Sequence, residues 1–188
     1  MQKLLVGGKS KQLIATSISL FSEQGFHNIG IDTIVRESKV SKSTLYKHFK
    51  SKETMVEVSL YMNKQLLKEQ VEGIIHQTAY SSVSDKLKQI YYLHADLESP
   101  YHLLLRAILE IKGTYPNAFD MVVKYRTWLV NTVHLLLTES KPSADCQDAH
   151  MFLFVIDGGL TQLLNSSMTT ERDILLNYFL LKITRLHL

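Results

Sequence analysis

The sequence predicts an all-α chain. Apolar residues recur at helical spacing along nearly its whole length, capping signals fall between those runs, and no block alternates in the manner of a strand. Only 3 prolines and 8 glycines punctuate 188 residues, which leaves little turn chemistry for a β architecture. The pattern divides into about nine helices, with a three-helix head over residues 1–52 and a helical body over 53–188.

In the head, Leu13, Ile14, Ile18, Leu20 and Phe21 predict a first helix over 11–24, which Gly25 terminates before Phe26 turns back to the core. A short second helix is expected over 31–38, with Ile31, Ile34 and Val35 on one side and Gly30 at its N-cap. Lys39 and Val40 form a tight turn, and Ser41 caps a third helix. So short a connection forces the angled helix pair of a helix-turn-helix.

Residues 41–53 are the most informative stretch. Four lysines, two serines in the first three positions, Thr44, Tyr46 and His48 surround an apolar stripe of Leu45 and Phe49. That helix has an oily back and a front of groups that bond phosphates and base edges. Charge agrees: residues 1–52 hold nine Lys/Arg against three acids, and the remainder holds twelve against fifteen. The overall net charge of +3 therefore conceals a basic head on a mildly acidic body.

Residues 11–57 resemble the N-terminal domain of the TetR family of bacterial transcription regulators. The resemblance rests on Leu20-Phe21, on Gly25-Phe26, and on the unbroken run Val40-Ser41-Lys42-Ser43-Thr44-Leu45-Tyr46-Lys47-His48-Phe49-Lys50-Ser51-Lys52-Glu53. It covers about a quarter of the chain. Ser17 and Val35 stand where the family usually has Ala, Ile29-Gly30 where it has a hydroxyl, and Lys39 where it has a turn glycine. By position the resemblance implies a helix that reads double-stranded DNA. Lys42, Ser43, Thr44 and Lys47 would reach base edges or nearby phosphates, Tyr46, His48 and Lys52 would grip the backbone, and Ser51 would cap the next helix.

The body reads as six further helices, over 52–76, 82–97, 99–112, 117–138, 144–165 and 170–186. Apolar residues make up 45% of the chain, yet no run approaches the roughly 20 needed to cross a bilayer, and Leu4-Leu5-Val6 is too short for a signal-peptide core. The single cysteine, Cys146, excludes an internal disulfide and fits a reducing cytoplasm.

The last two helices are too apolar for one solvated side, and Gly158-Gly159 suits close helix approach. With the resemblance, this implies a homodimer through Phe154, Val155, Gly158, Leu163, Leu175, Tyr178 and Phe179, and hence a palindromic operator. An effector pocket is expected within 55–140, walled by Tyr92, Tyr125 and Trp128 among other aromatics, with His94, Arg106 and Asn131 as polar anchors. It would admit a small, largely apolar ligand, or a hydrophobic cation if Glu110 or Asp157 faces inward.

Cys146 and His150 at i, i+4 are half a metal or nucleophile site, and no Gly-rich phosphate loop or paired-acid motif appears. The reading is a dimeric repressor without catalysis, cofactor or metal. A second reading makes the chain a DNA-associated factor whose body binds another protein.

Overall fold

The computed structural model describes residues 7–77, 82–165 and 169–184. Among them are nine α-helices and no strand: α1 Gly8–Gln24, α2 Ile31–Ser38, α3 Lys42–Phe49, α4 Lys52–His76, α5 Val83–His94, α6 Leu103–Glu110, α7 Pro116–Ser140, α8 Cys146–Asn165 and α9 Thr169–Thr184. They fall into two compact units. The first takes the chain as far as Gln65 together with Leu103–Val123, and the second takes Leu66–His102 with the chain from Lys124 onward. The unit that holds the helix-turn-helix thus extends past residue 52 and recruits α6.

In the first unit, Leu13, Phe21, Phe26, Ile34, Leu45 and Phe49 are fully buried, and the rings of Phe21 and Phe26 stack 5.1 Å apart. Ser17, which departs from the family pattern, is also fully buried, but its hydroxyl donates to the Leu13 carbonyl one turn back at 2.8 Å. A satisfied hydroxyl carries no desolvation penalty of the kind an orphan would. Ile29, another departure, is core.

The end of α1 is clamped by α6. The Glu110 carboxylate accepts from the Phe26 amide at 2.8 Å and from Arg106 Nε at 2.6 Å. Arg106 Nη1 donates to the Ser22 carbonyl at 2.8 Å, and the His27 ring reaches the Glu110 carbonyl at 2.7 Å. A guanidinium at a helix C-terminus satisfies carbonyls that the helix itself leaves open. Gly25 makes room: it adopts φ 82°, ψ 167°, and a Cβ there would come within 2.7 Å of Glu110 Oε2 and 2.9 Å of Arg106 Nη2.

In the second unit a polar pair lies inside the core. His94 is fully buried; its Nδ1 faces the Ile90 carbonyl at 2.6 Å and its Nε2 faces the Tyr125 hydroxyl at 2.7 Å. The carbonyl can only accept, so Nδ1 carries the proton and Nε2 accepts from Tyr125. Burial pushes the His94 pKa down to about 4. Arg126 pairs with Asp157 across α7 and α8, and Lys68 sits 4.2 Å over the Trp128 ring.

Several expected boundaries move, each for a local reason. The helix expected over 82–97 stops at His94, and the one expected over 99–112 is a 3-10 turn at Pro100–His102 followed by a shorter α6. There Glu98 N donates to Asp96 Oδ1 at 2.9 Å, and the His102 ring faces the Ser99 carbonyl at 2.7 Å, so side chains take over backbone groups a helix would pair. The eighth helix begins at Cys146 rather than 144, because Asp145 Oδ1 accepts from Gln147 N at 3.2 Å and acts as its cap.

Two measurements test this packing. Gly25→Ala should destabilise the chain by about 1–3 kcal/mol, since φ and ψ there are nearly exclusive to glycine, and thermal unfolding would show it. Stability should also fall as pH drops from about 6.5 to 4. In that window the unfolded histidine takes up a proton that folded His94 refuses, at up to roughly 1.4 kcal/mol per pH unit. Melting curves recorded across the window check the sign.

Candidate nucleic-acid interface

The third helix takes its orientation from its back. Leu45 and Phe49 are fully buried, which turns Lys42, Ser43, Tyr46 and Lys47 outward, all of them exposed. Thr44 and His48 are half-buried, and the His48 ring is tilted against Phe49 at 6.1 Å. The N-cap is in place: Ser41 Oγ accepts from Thr44 N at 3.3 Å and pairs with Thr44 Oγ1 at 2.8 Å. Thr44 is thus already engaged within the helix start. Ser51 likewise caps α4, accepting from Thr54 N at 3.1 Å, and Lys52 opens that helix half-buried. Burial lowers the Lys52 pKa from the ordinary lysine value.

Lys39 ends α2 in the left-handed region at φ 53°, ψ 26°, and Lys50 follows α3 at φ 35°. Both are exposed lysines in backbone conformations that favour glycine. Lys42, at the first position of α3, does not stand free. Its ammonium lies 2.7 Å from Asp32 Oδ1 in the first turn of α2, and that contact raises the Lys42 pKa. No sequence signal marked Asp32 as part of this surface, because a ten-residue offset between two helices has no periodicity.

Residues 13–58 match the family described as bacterial regulatory proteins, tetR family. Residues 13–58 are thus a TetR-type N-terminal domain. Over 76 residues the chain is 34% identical to the HTH-type transcriptional regulator HbdR of Aromatoleum sp. (strain CIB), which covers 38% of the chain and 33% of that protein. The chain thus spans about a third of the length of the curated relatives that match it in this way. Two solved structures share the whole fold. A TetR transcriptional regulator from Legionella pneumophila superposes with a TM-score of 0.81 at 12% identity, over 96% of this chain and 100% of that one. The transcriptional regulator FadR from Bacillus subtilis, solved with stearoyl-CoA, does so with a TM-score of 0.71 at 21% identity, over 93% and 97%.

The residues expected around an effector do not gather at one place. Arg106 belongs to the first unit and is committed to Glu110 and the end of α1. Glu110 and Asp157, each considered as a partner for a cationic ligand, are paired with arginines. His94 and Tyr125 satisfy each other in the core, Trp128 is half-buried under Lys68, and Asn131 is exposed on α7. Tyr92 alone of the six borders a cavity of about 660 Å³ in the second unit, between the end of α4 and α5. Gln70, His76, Gln77, Gln89 and Asp96 line it beside Ile74 and Leu93, so its wall is largely polar.

On the last two helices, Phe154, Leu175 and Tyr178 are 60% or more exposed, joined by Met151, Ile174 and Leu181. Val155, Leu163 and Phe179 are half-buried, and the Phe179 ring stacks on Phe152 of the same chain at 6.4 Å. Of the two glycines, Gly159 serves internal packing, since a Cβ would collide with the hydroxyl of Tyr91, whereas Gly158 opens outward with nothing within 4 Å.

Replacing Lys39 with Gly relieves its left-handed backbone while removing one cation, so the melting temperature should hold or rise. The slope of log affinity for DNA against log salt should fall by about 1. Calorimetry and binding titrations at several salt concentrations would check both.

Proposed function

We propose that this chain is a TetR-family, sequence-specific transcriptional repressor. In this reading it binds a palindromic operator as a homodimer and leaves it when a small molecule occupies the body. The carrying observation is α3: a buried apolar back, a capped N-terminus, and an exposed front of Lys42, Ser43, Tyr46 and Lys47. The proteins it resembles are transcriptional regulators, in keeping with a DNA reader rather than an enzyme. Among the described residues no helix is long and apolar enough to cross a membrane.

The second copy would seat on the exposed apolar face of α8 and α9. Four residues of α9 and two of α8 present large apolar groups to solvent, more than a monomer surface needs. Gly158 would admit the partner's helix closely. The same face could instead take a different protein, as in the reading of a DNA-associated interaction factor, and the solution mass separates the two.

The effector is proposed to be largely apolar or amphipathic. Its polar end would suit the amides, His76 and Asp96 of the α4–α5 cavity, and its apolar part would have to enter beside Tyr92 and Leu93. The stearoyl-CoA held by the Bacillus subtilis neighbour is of that chemical class. α4 runs unbroken from Lys52, just past the recognition helix, to His76 at the cavity, and so offers a route for coupling. Ligand would lower operator affinity only by its differential affinity for the two arrangements, and operator would weaken ligand equally.

Capture of fragmented host DNA by the purified chain, followed by sequencing, tests the central reading. Recovery of one recurring palindrome, lost on Tyr46→Ala or Lys47→Ala, is the expected result; salt-sensitive binding with no recurring sequence would overturn it. Leu175→Glu and Phe154→Glu should each convert a dimer to a helical monomer in sedimentation experiments. An unchanged mass would remove α8 and α9 from the interface.

A further inference from the structure

The Asp32–Lys42 bridge joins the first turn of α2 to the first residue of α3, and thus the leading ends of both helices of the motif. Both side chains are open to solvent, 82% for Asp32 and 53% for Lys42, so the pair adds little to folding stability. Its placement is unexpected for a surface that meets phosphates. A carboxylate repels them, and this one occupies a lysine that would otherwise bind one. Lys39, Lys47 and Lys50 make no ion pair among the described residues and are free for the backbone.

A carboxylate on such a surface gains only where it meets an amino group. In the major groove that group is cytosine N4, whereas a lysine seeks guanine O6 and N7. A G·C pair presents that acceptor and that donor side by side. Asp32 and Lys42 present a matching acceptor and donor, 2.7 Å apart and bridging the two helices.

We propose that Asp32 is a specificity-determining residue, which holds Lys42 in register so that the pair reads one G·C base pair in each half-site. Asp32 also keeps Lys42 off the phosphates, since leaving the carboxylate for the backbone gives up a partner. This rests on the DNA-reading function proposed above and adds the identity of a base pair to it.

The test is selection from a randomised duplex library by the full chain, by Asp32→Asn and by Lys42→Gln. The wild type should enrich a site with an invariant G·C pair at one symmetric position of each half. Asp32→Asn should keep the rest of the site while discrimination at that position falls about tenfold. Its affinity for unrelated DNA should rise, because a negative charge has left the surface. Lys42→Gln should relax the same position. Unchanged melting temperatures would confirm that the variants fold, since both residues are exposed. Selection of the same site with the same discrimination by Asp32→Asn would overturn the proposal and leave the DNA reader standing. Failure of the wild type to enrich any sequence would overturn both.

Discussion

Everything in the first unit is referred to the corner where α1 ends. Phe26 must turn back beneath Phe21, and the chain can do so only through a backbone conformation reserved for glycine. The turn leaves the Phe26 amide and the last carbonyls of α1 without helical partners, and Glu110 and Arg106 supply them from more than eighty residues away. With α1 fixed, α2 and α3 pack against it through Ile34, Leu45 and Phe49, and the exposed front of α3 acquires a direction. A residue on α6 is therefore part of the helix-turn-helix head in every physical sense, although the chain between α1 and α6 passes through Leu66–His102 of the second unit.

That corner also marks where the sequence could and could not be read. Gly25-Phe26 was legible, because a glycine after an apolar helical run is a local signal, and so were the caps Ser41 and Ser51 and the stripe of Leu45 and Phe49. Arg106 and Glu110 were legible as charged residues on a helix but not as the clamp on α1, since nothing local records a partner so far away. Asp32 escaped for the same reason. The helix expected over 99–112 is shorter in the fold because His102 and Asp96 capture carbonyl and amide groups through their side chains, a competition that periodicity does not register.

The body shows the opposite balance. Its helices were readable from spacing alone, yet aromatic residues at helical spacing are equally suited to a wall and to a core. Tyr125 and His94 resolve as core, joined by a hydrogen bond that no periodicity would pair, and burial drives His94 to its neutral form. The apolar excess on α8 and α9 survives folding and stays exposed on the surface.

The Asp32–Lys42 bridge has a kinetic side. At the tip of the motif the two charges cancel, and the uncompensated lysines sit at its flanks, at 39, 47 and 50. A reader built this way would ride on the phosphates of unrelated DNA by its flanks while its tip makes no strong contact with any groove. Low friction during that search permits fast one-dimensional sliding, and arrest comes only where a base pair offers the neutral tip a matching acceptor and donor. Loose travel and firm stopping would then be set by different residues, and could be altered separately.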